Sequence, residues 1–460
     1  MHITTRPLKH TAPLGEHELI NRAWHERPTS RRQRRARPVI LVLGLVIALG
    51  ISGGVEGTTF LVTKEADTLD GACDGDCSVR EAVVAANANP GLDFIVLPAG
   101  RFTLSIPGAD EDASATGDLD ITDATFVSGQ GPAKTIIDAD GLGDRVINQN
   151  AGGHQVVLVG LTVTGGWAPT DGGGIWNQDG TLVLSNVVVR DNVSTNSGGG
   201  VKAYLAEVIV KDGSAIISNS ASSVWYGGGI MGNNLTVTDS TISGNSAGVG
   251  GGISTEGTLT VSGSTISYNQ DLGFDGGGIW AGAGTLDISN STFVGNSSDR
   301  VGGALFAGGG ADVTLNSVTF SGNSAPSGET IRIRGGSSVN FINTLISGSC
   351  ILDSGSTVSY GGNLESGGDT CGLVDSTDQI NVVDPLLAPL AHNGGSTQTM
   401  LPLLGSPAIG GGSDWYCLNE DQRGEIRGDG NCDIGAVERQ PGEQDPVFID
   451  GFESGDTGAW

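Results

Sequence analysis

Basic residues are scarce in most of this sequence. The first 38 residues carry nine of the 23 lysines and arginines but only three of the 51 acidic residues, so the remainder has 14 basic against 48 acidic side chains. A protein that binds nucleic acid needs a basic face against the phosphates, and this composition excludes one. An acidic body is compatible with calcium, with cationic surfaces or simply with solubility.

Histidine and helix-forming patterns are also sparse. Four of the six histidines precede position 30, so they support no catalytic triad. The glycine runs stand at the starts of strand-like segments without a following helix, which excludes a phosphate-binding loop. No 3.6-residue apolar pattern runs between Gly117 and Ser349. Ankyrin and tetratricopeptide repeats would show that pattern, so both are excluded.

Long apolar runs are absent, apart from one run of 13 residues from Val39 to Ile51 that follows the basic stretch SRRQRRARP. A membrane span needs about 20 apolar residues. The run therefore predicts the core of a signal peptide, or alternatively an uncleaved anchor. We expect an exported protein, either secreted or associated with the cell surface or outer membrane, with no transmembrane domain in the mature chain.

The six cysteines form three local couples, and export makes disulfides reasonable. No group offers the four Cys or His ligands of a structural zinc site. Six cysteines allow 15 pairings. The predicted bridges are Cys73–Cys77, Cys350–Cys371 and Cys417–Cys432.

An apolar residue that follows the glycine runs recurs every 23 to 29 residues, most often every 26. Self-similarity at this period is typical of a solenoid. Between these residues, short alternating runs of Val, Ile and Thr are separated by Gly, Asn, Ser and Asp, which indicates strands. Three strands per 26 residues or so predict an all-β, right-handed parallel β-helix. The recurring residues are Ile175, Val201, Ile230, Ile253, Ile279, Leu305 and Ile331.

Asparagines keep the same period. Stacked coils lie about 4.8 Å apart, so an asparagine at one turn of every coil can bond to its neighbours and satisfy its buried amide. We predict a structural asparagine ladder; glycosylation at the N-x-S/T positions is the alternative. The ladder residues are Asn192, Asn219, Asn245, Asn269, Asn296 and Asn323.

A short helix is predicted near the start of the repeats. Ser78 and Glu81 have the spacing of a capping box, and Asn89 with Pro90 ends the helical pattern. The open end of a solenoid exposes strand edges and apolar interior, so it needs a cap. We expect this helix to be the lid.

Three stretches resemble known families. DTLDGACDGDCSVREAVVAANANPG is similar to the bacterial CSLREA domain, with Val79 where that motif has Leu. The GGGI and SGNSA repeats resemble right-handed β-helix proteins and the chlamydial polymorphic outer-membrane-protein repeats. The segment DPLLAPLAHNGGSTQTMLPLLGSPAIGGG, followed by DQRGEIRGDGNCDIGAVE, resembles the choice-of-anchor Q domain.

These resemblances cover roughly residues 58 to 460 and imply secretion or surface display without assigning a reaction. They predict five regions in chain order. The regions are a basic leader with signal peptide or anchor (1–57), a CSLREA-like cap (58–116), β-helix repeats (117–349), a choice-of-anchor Q-like region (350–439) and a flexible acidic tail (440–460).

Strand alternation predicts one outward face with aromatic and basic side chains. If Ile175 and its equivalents point inward, the residue after each of them points outward. Flat aromatics interleaved with polar groups suit stacking on sugar rings; the alternative is that loops cover them. The predicted ligand-binding face consists of Trp176, Lys202, Tyr204, Trp280, Phe306, Arg332 and Arg334.

A catalytic site is harder to find. A glycosidase needs two carboxyls flanking one bond. The first and third residues after each recurring apolar residue are expected to point outward, and Glu256 is the only acidic residue among them. A polysaccharide lyase would have to use Asp299, Arg300, Arg332 and Arg334.

No cofactor is predicted, although calcium remains an alternative. Asp429, Asn431 and Asp433 match the opening of a calcium loop, but Ile434 stands where Gly is expected, and position 12 lacks Glu.

The sequence favours an exported monomer that acts by binding, as an adhesin or envelope protein that engages glycan or matrix. A secreted polysaccharide lyase or hydrolase is the second hypothesis, and a purely structural surface protein is the third.

Overall fold

The computed structural model describes residues 57–109, 111–327, 329–427 and 430–446. Nearly all of the predicted leader and most of the predicted tail lie outside these residues. The described chain contains one α-helix, α1 (Val79–Asn87), and one 3-10 helix (Asp414–Tyr416). No helix among the described residues has the length and apolar character needed to cross a membrane.

The rest of the regular structure is β. The strands are β1 (Thr59–Leu61), β2 (Asp93–Val96), β3 (Gly100–Thr103), β4 (Leu119–Ile121), β5 (Thr125–Ser128), β6 (Thr135–Asp138), β7 (Ile147–Gln149), β8 (Gln155–Val159), β9 (Thr162–Thr164), β10 (Trp167–Ala168), β11 (Ile175–Asn177), β12 (Thr181–Ser185), β13 (Val188–Arg190), β14 (Val193–Ser194), β15 (Val201–Lys211), β16 (Ala215–Ile217), β17 (Ser220–Ala221), β18 (Ile230–Thr238), β19 (Thr241–Ser243), β20 (Ser246–Ala247), β21 (Ile253–Thr255), β22 (Thr258–Ser262), β23 (Thr265–Ser267), β24 (Gln270–Asp271), β25 (Ile279–Ala281), β26 (Thr285–Val294), β27 (Ser297–Ser298), β28 (Leu305–Ala307), β29 (Asp312–Ser321), β30 (Glu329–Arg334), β31 (Ser338–Ile342), β32 (Leu345–Ser347), β33 (Ser349–Asp353), β34 (Ser356–Ser359), β35 (Leu364–Ser366) and β36 (Gln379–Val382).

Each coil contributes parallel strands to three faces, and this architecture confirms the predicted right-handed parallel β-helix. Long strands such as β15 and β26 bend around a corner and serve two faces. The first face consists of β4, β7, β11, β15, β18, β21, β25, β28, β30 and β33. The second face contains β5, β8, β12 and β22, and the third contains β6, β9, β13, β16, β19 and β23. The corner between the third and first faces carries a small sheet of β10, β14, β17, β20, β24 and β27.

The core is a set of aliphatic columns inside the coils. Ile175 pairs with Val201 on the next coil, and Ile279 pairs with Leu305 further along. All of the recurring apolar residues from Ile175 to Ile331 are fully buried. Because alternate residues of a strand face opposite sides, each buried column fixes which side chains point out of the solenoid.

The asparagines of successive coils form a continuous ladder. The backbone N–H and the side-chain Nδ2 of Asn219 both donate to Oδ1 of Asn245, at 2.9 and 3.0 Å. Asn245 donates in the same way to Asn269, at 3.0 and 2.9 Å. The pattern repeats from Asn192 to Asn323. Each amide is thus satisfied inside the molecule, as burial requires.

All three predicted disulfides are confirmed. The bonds join residues 4, 21 and 15 positions apart, and no cysteine in the described chain is free. The bridges are Cys73–Cys77, Cys350–Cys371 and Cys417–Cys432.

Helix α1 has the predicted capping box. Ser78 Oγ accepts the Glu81 N–H at 3.1 Å, and Glu81 Oε2 accepts the Ser78 N–H at 2.7 Å. Burial raises the pKa of Glu81, but hydrogen bonds from Ser78, Thr68 and Asp70 outweigh it and lower that pKa to about 2.

Arg80 joins helix α1 to the first coils. It is fully buried and pairs with Asp67 at 2.7 Å. It also donates to the backbone carbonyls of Gly117 at 2.7 Å and of Ser114 and Asp118 at 3.1 Å. The guanidinium therefore holds the cap, an adjacent loop and the start of β4 together.

The last coil strand is β36, and the described residues after it fold back along the third face. Gln422 is central to this docking, because its Nε2 donates to the Ser264 carbonyl at 3.1 Å and its Oε1 accepts from Thr292 Oγ1 at 2.6 Å. The Ala436 N–H donates to Thr319 Oγ1 at 2.9 Å. The C-terminal segment therefore covers the outer side of the third face. These contacts do not involve the first face.

Candidate functional site

The outer side of the first face carries one column of side chains that pair from strand to strand. It includes five of the residues predicted for the ligand-binding face. In order, the column is Asp120, Asn148, Trp176, Lys202, Met231, Ser254, Trp280, Phe306, Arg332 and Ile351. We refer to it as the outward column.

The outward column is not the continuous exposed stripe that the sequence predicts. Phe306 is only 5% exposed, and Ser254 is fully buried. The glycine-rich corners fold over the column: a Cβ at Gly276 would lie 2.9 Å from Cβ of Trp280, and one at Gly302 would lie 3.2 Å from Cβ of Phe306. Both glycines have positive φ, a backbone conformation that residues with a side chain rarely adopt, and the absence of a Cβ allows this close approach.

Trp176 is covered by a cation. The guanidinium of Arg145 lies 4.9 Å from the ring centroid, and Arg145 Nη1 lies 3.0 Å from Asp118 Oδ2. A guanidinium over an indole face is a stable cation–π contact. One ring face is therefore occupied within the protein, while the Trp176 residue is still partly exposed, and its contact with a ligand stays a prediction.

Lys202 is another departure from the predicted face. Its side chain is mostly buried, and burial lowers its pKa although Asp171, 3.9 Å away, acts in the opposite direction. Tyr204 belongs to β15, but its side chain lies outside the described part of the structure. The predicted face is therefore interrupted between Trp176 and Trp280.

Trp280 and Phe306 form an aromatic pair at the other end of the column. Their rings are parallel within 3°, with centroids 6.4 Å apart, and the Tyr226 ring lies 5.3 Å from Trp280. Each ring extends over the glycine two residues later. A Cβ at Gly282 would lie 2.1 Å from Trp280, and one at Gly308 would lie 2.6 Å from Phe306. These glycines leave room for the two rings.

Arg332 and Arg334 continue this end of the face. Arg332 pairs with Phe306 in the strand ladder. Its guanidinium contacts the carboxylate of Asp353, and the exposed Arg334 lies two residues further along β30, on the same side. Same-side residues of a strand are about 6.6 Å apart. Two guanidinium groups therefore lie beside the aromatic pair.

Two carboxylates complete the cluster. Burial raises the pKa of Asp275, while the charges of Arg300, Arg334 and Arg332 oppose that rise. Glu329 is fully buried; its Oε1 accepts the Gly302 N–H at 3.3 Å and lies 4.0 Å from Arg332 Nη1. We call this group the arginine–aromatic site. Its members are Asp275, Trp280, Arg300, Phe306, Glu329, Arg332 and Arg334.

Several buried polar atoms around this site lack a hydrogen-bond partner among the described residues. They are Oδ1 of Asp275, Oε2 of Glu329, Oγ1 of Thr330 and Nε of Arg332. An unpaired buried polar group costs about 1–3 kcal/mol. Two of the four belong to the partly exposed residues Asp275 and Arg332, where a ligand or water can supply the missing partner.

Sequence reasoning missed Asp275, Glu329 and Thr330. For Glu329 and Thr330, the sequence does contain a signal, which is a break in the glycine pattern. Ile331 is equivalent to Leu305 of the preceding coil, and the two residues before Leu305 are Gly303 and Ala304. Glu329 and Thr330 stand in those two positions. A large acidic residue at a position that is glycine in the preceding coils marks a change in local packing.

Asp299 does not join this cluster through any side-chain contact within the described chain. It is exposed, and its backbone N–H donates to the Asp271 carbonyl at 3.2 Å. Of the predicted catalytic residues, the three arginines therefore lie near one another, but Asp299 does not contact them. The acids beside the arginines are Asp275 and Glu329.

In the candidate calcium loop, the carboxylate of Asp433 already accepts hydrogen bonds from the backbone. Asp433 Oδ1 accepts the Gly410 N–H at 2.7 Å, and its Oδ2 accepts the Arg439 N–H at 2.6 Å. Asp429 lies outside the described residues, and Asn431 supplies no second acid. Within the described residues, no group of three or more metal-ligating side chains is present.

The start of the outward column is acidic. Burial, together with the charges of Asp120 and Asp144, raises the pKa of Asp118 to about 8 despite the ion pair with Arg145. Burial also raises the pKa of Asp120 to about 6, although Asn148 donates to it at 2.9 Å. Asp118 contacts Arg145, which lies over Trp176 at this end of the face.

A polar cavity of about 340 Å³ lies between the solenoid and the C-terminal segment. Asn290, Glu420 and Gln422 line it, and none of the residues of the arginine–aromatic site does. Gln422 and Asn290 hold the C-terminal segment in place. The cavity is therefore a seam of the fold, and the candidate site lies elsewhere.

A match to a protein-family model agrees with the architecture. Residues 172–346 match a family model described as a right-handed β-helix region. The crystal structure of the pectate lyase Pel9A is similar in fold, with a TM-score of 0.49 and 14% identity over 84% of this chain and 98% of that one. No curated protein sequence matches this chain significantly.

Proposed function

We propose that this protein is exported and binds polysaccharide at the arginine–aromatic site. The observation that carries the proposal is the partly exposed Trp280 ring, which stacks on the buried Phe306 beside Arg332. Ligand sites combine apolar and aromatic side chains with a few precisely placed polar groups. Here an aromatic surface and several charged groups meet on the outside of a rigid solenoid.

The unpaired polar atoms support a hydroxyl-rich ligand. Asp275 Oδ1 can accept a hydrogen bond, and Arg332 Nε can donate one; both belong to partly exposed residues. A sugar hydroxyl can act in both ways at once. A purely apolar ligand would leave these atoms unsatisfied, at a cost of about 1–3 kcal/mol each.

Export rests on the leader-like sequence and on the disulfides. Three disulfides in one chain are typical of proteins that fold in oxidising compartments. We therefore place the protein outside the cytoplasm, either secreted or on the cell surface, where polysaccharides are accessible.

Polysaccharide cleavage is the second candidate function. Burial raises the pKa of Asp275 although the charges of three arginines oppose the rise, and a carboxyl with a raised pKa is a candidate general acid. The full burial of Glu329 argues against this candidate, because a second catalytic group must reach the bond to be broken. Binding is therefore the better-supported function.

The test uses purified residues 58–440 and a panel of soluble and insoluble polysaccharides. Depletion of protein from solution measures binding, and new chain ends in the same tubes measure cleavage. Depletion without new ends supports the proposal. New ends that disappear with Asp275→Asn would favour the enzyme, and neither signal would favour a purely structural protein.

A further inference from the structure

Most basic side chains of this protein are already paired with acids. Of the 14 lysines and arginines after position 38, 11 form an ion pair in the described structure. Such pairing is expected when acids outnumber bases more than threefold. The exceptions are Lys134, Arg300 and Arg334, none of which pairs directly with a carboxylate in the described residues.

Two of these three exceptions belong to the same site. Arg300 directly precedes Val301, which forms a parallel bridge with Asp275. Arg334 lies two residues after Arg332 on the same side of β30, and the charges of all three arginines act on Asp275. Arg332 has a partner in Asp353, but its Nε donor is still unused within the described chain. A protein rich in surplus acids therefore keeps unpaired guanidinium groups together at one place.

We propose that the arginine–aromatic site recognises an acidic polysaccharide, with Arg300 and Arg334 binding a carboxylate or sulfate group on the sugar. This inference rests on the proposed polysaccharide binding and names its ligand class. Guanidinium groups match the geometry of carboxylates and sulfates, and such charge-assisted hydrogen bonds are stronger than neutral ones. The partly exposed Trp280 ring holds the sugar ring beside the bound anionic group.

The negative net charge of the protein restricts favourable binding of an acidic polymer to the region of the unpaired arginines. A formal charge of −28 repels polyanions at long range. Only a ligand that reaches Arg300 and Arg334 directly gains the attraction. Binding of an acidic polymer to a random patch of this surface would therefore be unfavourable, and residual binding after loss of these arginines should be small.

The experiment compares four polymers, in two matched pairs, for binding to the whole chain. They are a polyuronate and its methyl-esterified form, dextran sulfate, and unmodified dextran. We expect the charged polymers to bind at least about tenfold more tightly than their uncharged counterparts, because hydrogen bonds to charged groups are worth about a factor of ten or more. A preference for the polyuronate or for dextran sulfate identifies which anionic group is favoured.

Arg334→Gln and Lys134→Gln are matched variants, because each removes one unpaired positive charge. Arg334→Gln should weaken binding of the charged polymers about tenfold, and the Arg300→Gln/Arg334→Gln double variant should weaken it further. Lys134→Gln should leave binding unchanged. Melting curves establish that the variants remain folded.

The outcomes separate the two proposals. Equal binding of charged and uncharged polymers, unaffected by Arg334→Gln, would overturn the acidic specificity and leave polysaccharide binding standing. Equal losses in Arg334→Gln and Lys134→Gln would also overturn it, because they would indicate nonspecific attraction. No binding by any polymer would overturn both proposals.

Discussion

The guanidinium of Arg145 lies 4.9 Å from the ring centroid of Trp176. Trp280 occupies the equivalent position in a nearly identical stretch, yet its neighbours are the rings of Tyr226 and Phe306. The decapeptides DGGGIWNQDG and DGGGIWAGAG therefore place two tryptophans in the same backbone geometry but in different environments. Residues of neighbouring coils decide which of them is available to a ligand.

Gly282→Ala tests the placement of the Trp280 ring. The added methyl would lie 2.1 Å from that ring and displace it, while the backbone of Gly282 needs no positive φ. We expect polysaccharide binding to weaken about tenfold and the tryptophan fluorescence to change. Gly75→Ala is the control, because nothing lies within 4 Å of its added Cβ. Unchanged binding by Gly282→Ala would mean that the ring does not contact the ligand.

Asn245→Ala tests the asparagine ladder. The substitution leaves the N–H groups of Asn219 and the Ile216 carbonyl without their partners. We expect the free energy of unfolding, measured in urea, to fall by about 3 kcal/mol or more, since each unpaired buried group costs about 1–3 kcal/mol. Asn340→Ala removes an amide of the outer surface and should cost less than about 1 kcal/mol. Equal losses would contradict a special role for the ladder.

Arg80→Met tests the N-terminal cap. Methionine preserves much of the apolar volume but leaves the buried carboxylate of Asp67 unpaired. Removal of one partner from a buried ion pair costs about 3–5 kcal/mol. The control is Arg190→Met, because Arg190 and Asp191 form an exposed pair that is worth about 0–1 kcal/mol. If chemical denaturation gives similar losses for both variants, Arg80 does not anchor the cap.

Stability should depend on pH in both directions. The folded state raises the pKa of Asp118 to about 8 and that of Asp120 to about 6, so it binds more protons than the unfolded chain. Their stabilising contribution is present at low pH and is lost as the pH rises through 6 and then 8.

Glu81 acts in the opposite sense. Its folded pKa is about 2, so its contribution is present above pH 4.5 and is lost as the pH falls toward 2.

Urea midpoints measured from pH 3 to pH 9 check both effects. We expect the midpoint to be highest near pH 5 and to decline toward pH 9. Asp118→Asn should flatten the decline between pH 6 and pH 9, because the residue can no longer lose a proton. A wild-type midpoint that rises over that interval would contradict the pKa shifts of Asp118 and Asp120.

The fold could be predicted from the sequence because the interactions that define it are local. The recurring isoleucines, the asparagine period and the capping box each depend on residues close in sequence or one coil apart. The same holds for the cysteine couples, whose partners lie 4 to 21 positions apart. Because a solenoid stacks equivalent positions, the period alone places each column.

The site was less predictable, because accessibility depends on what folds over a column. Alternation identifies Phe306 as outward-facing but cannot show that the corner at Gly302 covers it. The contact between Arg145 and Trp176 depends on a side-chain conformation in the preceding coil. Glu329 contacts the Gly302 N–H of the previous coil in a way that no spacing rule predicts.

The two most specific sequence motifs have structural tasks in this protein. In CSVREA, Ser78 and Glu81 cap the helix, and Arg80 fixes it to the first coils. In DQRG, Gln422 docks the C-terminal segment on the third face, while Arg423 pairs with Asp421 at 2.9 Å. These motifs therefore account for the two ends of the fold, and the binding function rests on the less distinctive first face.

The most direct test of polysaccharide binding at the arginine–aromatic site compares Trp280→Ala with Trp176→Ala. The measurement is the dissociation constant for the polysaccharide that depletes the wild-type protein most strongly, with melting curves to confirm folding. Trp280→Ala should weaken binding about tenfold or more, and Trp176→Ala should leave it within about twofold because Arg145 covers that ring. Equal effects of the two substitutions, or a greater effect of Trp176→Ala, would contradict the proposed site.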